Sequence, residues 1–201
     1  MSEPILMPYQ SLPFNGDTYI CQEFLKLKKE FNLNVALETG SCLYSTTKWL
    51  GENFERVYTV EINHDYAKHG YHKVKDMANV KTDISDSVFW LERVITTELK
   101  DEDRCIFFLD AHWGDFCPLQ SELNKISLIN TNQPPVIAIH DFYTGNEELG
   151  YDSYKGQPFV YEWLKPHFDY ISHVTDCEYK HYYNTVAEGA KRGIIYLTPK
   201  I

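Results

Sequence analysis

Short runs of apolar and β-branched residues recur along the chain at 34–38 (NVALE), 57–62 (VYTVEI), 80–83 (VKTD), 105–110 (CIFFLD) and 136–141 (VIAIHD). Most are continuous rather than alternating, which is the pattern of strands covered on both faces. Between them lie stretches of helical length, 46–53, 65–77, 86–99 and 119–129, and a further helix, 18–31, precedes the first strand with Asp17 placed to cap it. Strands alternating with helices imply a doubly wound, Rossmann-like α/β domain with a mostly parallel sheet. After the fifth strand the pattern changes to a Gly/Tyr-rich loop (142–157), a helix near 158–167, and two β-like runs, 170–175 and 193–198. Nothing between those two runs reads as a crossover helix, so an antiparallel C-terminal strand pair is expected. No linker or internal repeat divides the chain, and 1–201 reads as a single domain with 1–33 as an N-terminal helical extension.

Composition narrows the partners. The 201 residues are 43% hydrophobic, enough for one core. Nineteen Lys and Arg stand against 29 Asp and Glu, a formal charge of −10 that repels phosphate backbones, so no nucleic acid partner is expected. The cysteines, five in number and scattered, form neither a disulfide framework nor a thiolate zinc site. Met1-Ser-Glu-Pro opens no basic, then apolar, leader, and no 18-residue apolar run occurs. The expected location is the cytoplasm, with no membrane contact.

In an open sheet of this kind the ligand sits outside the carboxyl ends of the strands, so the turns carry the chemistry. The first is Glu38-Thr39-Gly40-Ser41-Cys42-Leu43-Tyr44-Ser45-Thr46-Thr47, and the second strand ends in Glu61, 21 residues beyond Gly40, where an acid can hold a ribose diol. A dinucleotide's pyrophosphate wants G-x-G-x-x-G, but of the three glycines only Gly40 is present, with Cys42 at the second place. Glu38 would repel phosphate and attract an ammonium or sulfonium group. The turn therefore favours S-adenosylmethionine over NAD.

Glu38-x-Gly40 after strand one, Glu61 closing strand two, Asp86-Ser87 after strand three and Asp110 closing strand four resemble the class I S-adenosylmethionine-dependent methyltransferases, over roughly residues 34–141. The resemblance implies that Glu38 and Gly40 hold the methionine moiety, Glu61 the ribose hydroxyls, and Asp86 with Ser87 the adenine amine, with Ser41 and Thr46 also among the cofactor-binding residues. It also sets Asp110 beside the cofactor. The turn is less Gly-rich than the family's usual one.

The acceptor side is expected at Asp110-Ala111-His112-Trp113 and His140-Asp141-Phe142-Tyr143, after strands four and five. A hydroxyl acceptor needs a general base or a divalent cation to lose its proton. Asp110 and Asp141 supply hard oxygen ligands for Mg or Mn, and Asp110, His112 and His140 are the catalytic candidates, with either imidazole able to take the proton. The layout is similar to the metal-dependent sugar O-methyltransferases, whose D-x-D and D-D pairs here each carry one His. LDAHW, CPLQSEL and IHDFY resemble glycan-modifying enzymes, in particular the rhamnose-methylating domains of chlorovirus glycosyltransferases. That likeness implies a carbohydrate acceptor, the cytoplasm of a host cell, and a unit that can be fused to glycosyltransferase domains in a longer chain.

A small-molecule O-methyltransferase of catechol or natural-product type shares every one of these motifs. An NAD-dependent oxidoreductase and a non-catalytic cofactor-binding module are the further alternatives. Trp113, Phe116, Phe142, Tyr143, Tyr151, Tyr154 and Tyr161 cluster around the acceptor turns as a candidate wall, and 144–157, with Gly145, Gly150 and Gly156, as a candidate lid. His64, His69 and His72 read as a solvated helix face.

Overall fold

The structure is a computed structural model that describes residues 8–112 and 115–200. Seven strands form one sheet in the order β3-β2-β1-β4-β5-β9-β8. These are β1 (Val35–Thr39), β2 (Arg56–Glu61), β3 (Val80–Ile84), β4 (Cys105–Leu109), β5 (Val136–His140), β8 (Tyr179–Tyr183) and β9 (Ile194–Pro199). The first five pair in parallel, and β9 runs antiparallel to both β5 and β8. A two-stranded hairpin, β6 (Ser153–Tyr154) with β7 (Gln157–Pro158), lies inside the loop after β5.

Because successive side chains point to opposite faces, each central strand feeds two cores. Leu37, Val60, Phe107 and Ile139 pack with α4 (Ser87–Thr97), α5 (Leu119–Ile126) and α6 (Tyr161–Val174). Ala36, Val57, Phe108 and Ala138 pack on the other side with α1 (Thr18–Glu30) and α2 (Ser45–Asn53). Helix α1 is thus part of that layer, entered through Phe14 and capped by Asp17, which accepts from the Tyr19 and Ile20 amides. No helix among the described residues is long and apolar enough to cross a membrane.

Three elements differ from the pattern the sequence predicts. Residues 170–175 are not a strand but the end of α6: Leu164, Phe168 and Ile171 are buried at i, i+4 and i+7, and that stripe outweighs the local β-branched composition. The antiparallel partner of β9 is instead YKHYY, 179–183, an edge strand whose Lys and His concealed it. The predicted helix over 65–77 is shorter, with α3 spanning His64–Gly70 and a 3-10 turn following. Gly70 lies against the loop after β1, where a Cβ would come 2.6 Å from the Leu43 backbone. His69 and His72 sit exposed on this segment and bond only to backbone carbonyls.

Candidate active site

The sheet order reverses between β1 and β4, and the loops leaving these two strands meet there. Gly40 takes φ +79°, and a Cβ on it would fall 2.3 Å from the Asp110 carbonyl oxygen, so only glycine lets the β1 loop lie on the β4 loop. Its amide and that of Ser41 donate to the Val60 carbonyl, and the Asp110 amide donates to Thr39. Cys42 and Tyr44 also hold positive φ, at 49° and 57°, so the loop is a chain of left-handed residues.

The acids predicted on the cofactor side are engaged with the protein itself. Glu38 is 1% exposed and accepts from the hydroxyls of Thr47 and Thr59, tying α2 to β1 and β2. Burial pushes its carboxyl up to about 7. Glu61 accepts from the Cys42 amide at 2.6 Å and the Asn63 amide at 2.8 Å, bracing the β1 loop against the end of β2. Its pKa is raised, chiefly by burial. Asp86 caps α4 by accepting from the Val88 and Phe89 amides, with Ser87 buried behind it. The Thr46 hydroxyl accepts from the Phe14 amide, and Ser41 is buried in the loop. Around Glu61 and Asp86 stand three apolar side chains left in solvent, Ile62 at 56%, Ile84 at 47% and Phe89 at 73% exposure. Large apolar groups left in solvent are candidates for covering a ligand or a partner.

The four acceptor-side residues converge. His112 Nε2 lies 3.2 Å from Asp141 Oδ2, and His140 Nδ1 lies 3.1 Å from Asp110 Oδ1 and 3.4 Å from Asp141 Oδ1. Both imidazoles are buried, and the His112 ring stands edge-on to Phe159 with centroids 4.8 Å apart. Burial opposes charge on His140, yet Asp141 and Asp110 outweigh it and hold its pKa well above the ordinary imidazole value. The same contest, with the Asp141 hydrogen bond leading the opposition to burial, raises His112. For Asp141, burial is overcome by the His140 and His112 charges, which keep it well below the usual carboxylate range. Asp110, His112 and Asp141 each bring one ligand atom to within 4.8 Å of the others.

Two residues of this neighbourhood carried no sequence signal. Arg192, just before β9, donates from Nε to Asp141 Oδ1 and from Nη2 to Asp152 Oδ1. Glu122, on α5, is fully buried with neither carboxylate oxygen hydrogen-bonded among the described residues, and burial pushes it up to about 7. No spacing rule links a pre-strand Arg to an Asp 51 positions earlier. Of the aromatic candidates, Tyr143 and Tyr151 meet edge-on at 4.8 Å beside the Asp141–Asp152 segment, and Tyr151 and Phe116 are exposed. Phe142 is instead withdrawn into the core, Tyr161 stacks on His181 of β8, and Trp113 lies outside the described residues.

No protein-family model and no curated protein matches the chain significantly. Solved structures do. An O-methyltransferase from Bacillus cereus in complex with S-adenosylhomocysteine superposes with a TM-score of 0.61 at 16% identity, over 99% of this chain and 84% of that one. The chain has the fold of the S-adenosylmethionine-dependent methyltransferases. TomG, an O-methyltransferase of Streptomyces achromogenes involved in tomaymycin synthesis and solved with S-adenosylmethionine, gives 0.62 at 11% identity, over 98% of this chain and 82% of that one. Spermidine synthase from Thermotoga maritima gives 0.58 at 13%, over 94% and 62% of the two chains. A fold shared by enzymes of different names fixes the scaffold, and the reaction has to be argued from the side chains.

Proposed function

We propose that the chain is an S-adenosylmethionine-dependent O-methyltransferase whose acceptor is a sugar hydroxyl, rhamnose or a related glycan unit. The observation that carries this reading is the pairing of His112 with Asp141 and of His140 with Asp110 beside the β1 loop. S-Adenosylmethionine, when bound, supplies a methyl group on a sulfonium sulfur that is already activated for displacement. The residues present fit it: Gly40 lets the β1 loop lie on the β4 loop, Glu61 is held at the end of β2, and Ile62, Ile84 and Phe89 are exposed apolar groups next to Glu61 and Asp86 in the fold. Glu38 ties α2 to β1 and β2, Thr46 holds the Phe14 amide, and Asp86 caps α4 ahead of the buried Ser87.

What remains for the protein is to orient the acceptor oxygen and take its proton. His112, with one nitrogen fixed on Asp141, is the base in this reading, and His140 holds Asp110 and Asp141 in place. As an alternative use of the same side chains, Asp110, Asp141 and His112 would hold a divalent cation, Mg or Mn, which would lower the pKa of an acceptor hydroxyl, His112 then being a ligand and not the base. Tyr143 and Tyr151 offer rings with polar tips, suited to the C–H faces and hydroxyls of a sugar.

A small-molecule acceptor is the second reading. It is favoured by the names of two structures of the same fold, TomG and a putative caffeoyl-CoA O-methyltransferase from Staphylococcus aureus. The test is mass spectrometry of glycan and catechol panels incubated with the full chain and S-adenosylmethionine, with and without chelator. Methylated rhamnose-bearing glycans are expected, with turnover lost on chelation if a cation is used. Methylated catechols alone would move the assignment to the second reading, and no methylation of either, with no S-adenosylhomocysteine bound, would remove both.

A further inference from the structure

Arg192 joins two parts of the molecule that the chain keeps far apart. It lies in the segment between β8 and β9, and its guanidinium spans Asp141 on the β5 rim and Asp152 in the loop after β5. The backbone repeats the connection: the Gly150 amide donates to Lys191, the Gly193 amide donates to Gly150, and the Asp152 amide donates to the Asp141 carbonyl at 2.8 Å. Gly150 is a glycine for this reason. A Cβ there would stand 2.8 Å from Arg192 Nη1 and 3.1 Å from its Cδ, so the Arg side chain runs across the bare backbone.

The consequence falls on Asp141, which takes φ +57°, a left-handed conformation that costs a non-glycine residue energy and persists only where its surroundings hold it. Its carboxylate has two oxygens to distribute. Arg192 and His140 take Oδ1, which leaves Oδ2 turned to His112. A planar guanidinium can fix two carboxylates at once, where an ammonium acts as a point charge. We infer that Arg192 is a positioning residue: it sets the rotation of Asp141 that orients His112, and through Asp152 it clamps the loop at residues 149–153 over the acceptor side. This deepens the methyltransferase reading and rests on it for its catalytic half.

The experiment compares Arg192→Ala, Arg192→Lys and Asp152→Asn in the full chain. It reads amide hydrogen exchange of residues 149–153, S-adenosylhomocysteine affinity, and kcat and KM on the acceptor the panels identify. Arg192→Ala is expected to lower kcat about 10- to 100-fold, the range for residues that orient a reacting group from behind, with cofactor affinity close to wild type. Its exchange at 149–153 rises, and millimolar guanidinium restores part of kcat. Arg192→Lys recovers less, because it lacks the fork. Asp152→Asn speeds exchange in the loop and raises KM more than it lowers kcat. Wild-type kcat and wild-type exchange in Arg192→Ala would overturn the inference, as would a loss of activity that guanidinium leaves untouched and that follows a fall in melting temperature. If the wild type methylates nothing, the methyltransferase reading fails by itself, while the exchange comparison still decides the clamp.

Discussion

His112 offers Nε2 to Asp141, and its Nδ1 is buried with no partner among the described residues. A ring anchored by a carboxylate at one nitrogen fixes the direction of the other, and because Nδ1 is buried an acceptor reaches it only once the covering side chains shift. The base works deprotonated, and Asp141 together with Asp110 raises the pKa of His112 above the ordinary imidazole range despite burial. Activity should therefore climb with pH through a limb above that range. Asp141→Asn removes the opposing charge, lets burial dominate, and should move the limb to lower pH while cutting kcat by about 100-fold or more, with S-adenosylhomocysteine affinity nearly unchanged. A pH–rate profile of the two proteins checks this, and an unmoved limb in the variant would take Asp141 out of the role. Asp110, His112, His140 and Asp141 were legible because each closely follows an apolar strand. Arg192 and Glu122 were not, because a partner supplied by a distant loop or a buried helix face leaves no local pattern.

At the scale of elements, the site depends on how the β1 loop rests on the β4 loop. Gly40→Ala meets both a left-handed backbone and the Asp110 carbonyl at 2.3 Å, which is backbone and cannot swing away. Gly145, at φ +83°, has nothing within 4 Å of its would-be Cβ. Gly145→Ala should then cost only the conformational term, about 1 kcal/mol, and Gly40→Ala about 2–4 kcal/mol, with S-adenosylhomocysteine binding lost in the second alone. Denaturant unfolding and calorimetry of the pair separate clash from strain; equal costs would mean the two loops are not in fixed contact. The strands that build this switch point were readable because they are buried on both faces and therefore continuously apolar. The C-terminal strand β8 was not, since an edge strand carries Lys and His in place of an apolar run, and the β-branched end of α6 imitated it.

Across the whole molecule, ionisable groups sealed under the sheet's rim set how stability follows pH. Burial pushes Glu38 and Glu122 up to about 7 from an ordinary 4.5. A carboxyl whose pKa is raised on folding favours the folded state when protonated, so its contribution is complete below the unfolded value and is lost as pH rises through the folded one. His140, raised by its two carboxylates, acts in the same direction at higher pH, its contribution falling away as the imidazolium loses its proton. Asp141 acts oppositely: its lowered pKa stabilises above the ordinary 3.8 and is lost as pH falls. The formal charge of −10 also grows in self-repulsion as the acids ionise. The two glutamates and the His140 contribution should make stability fall as pH rises from about 5 toward 7 and beyond. Glu38→Gln and Glu122→Gln remove the titration while keeping the shape, so the double variant should show a flatter slope between about pH 5 and 7 than the wild type. Unfolding free energies from urea titrations across that interval decide it, and a wild-type slope in the double variant would mean that neither carboxyl is buried as the fold has it.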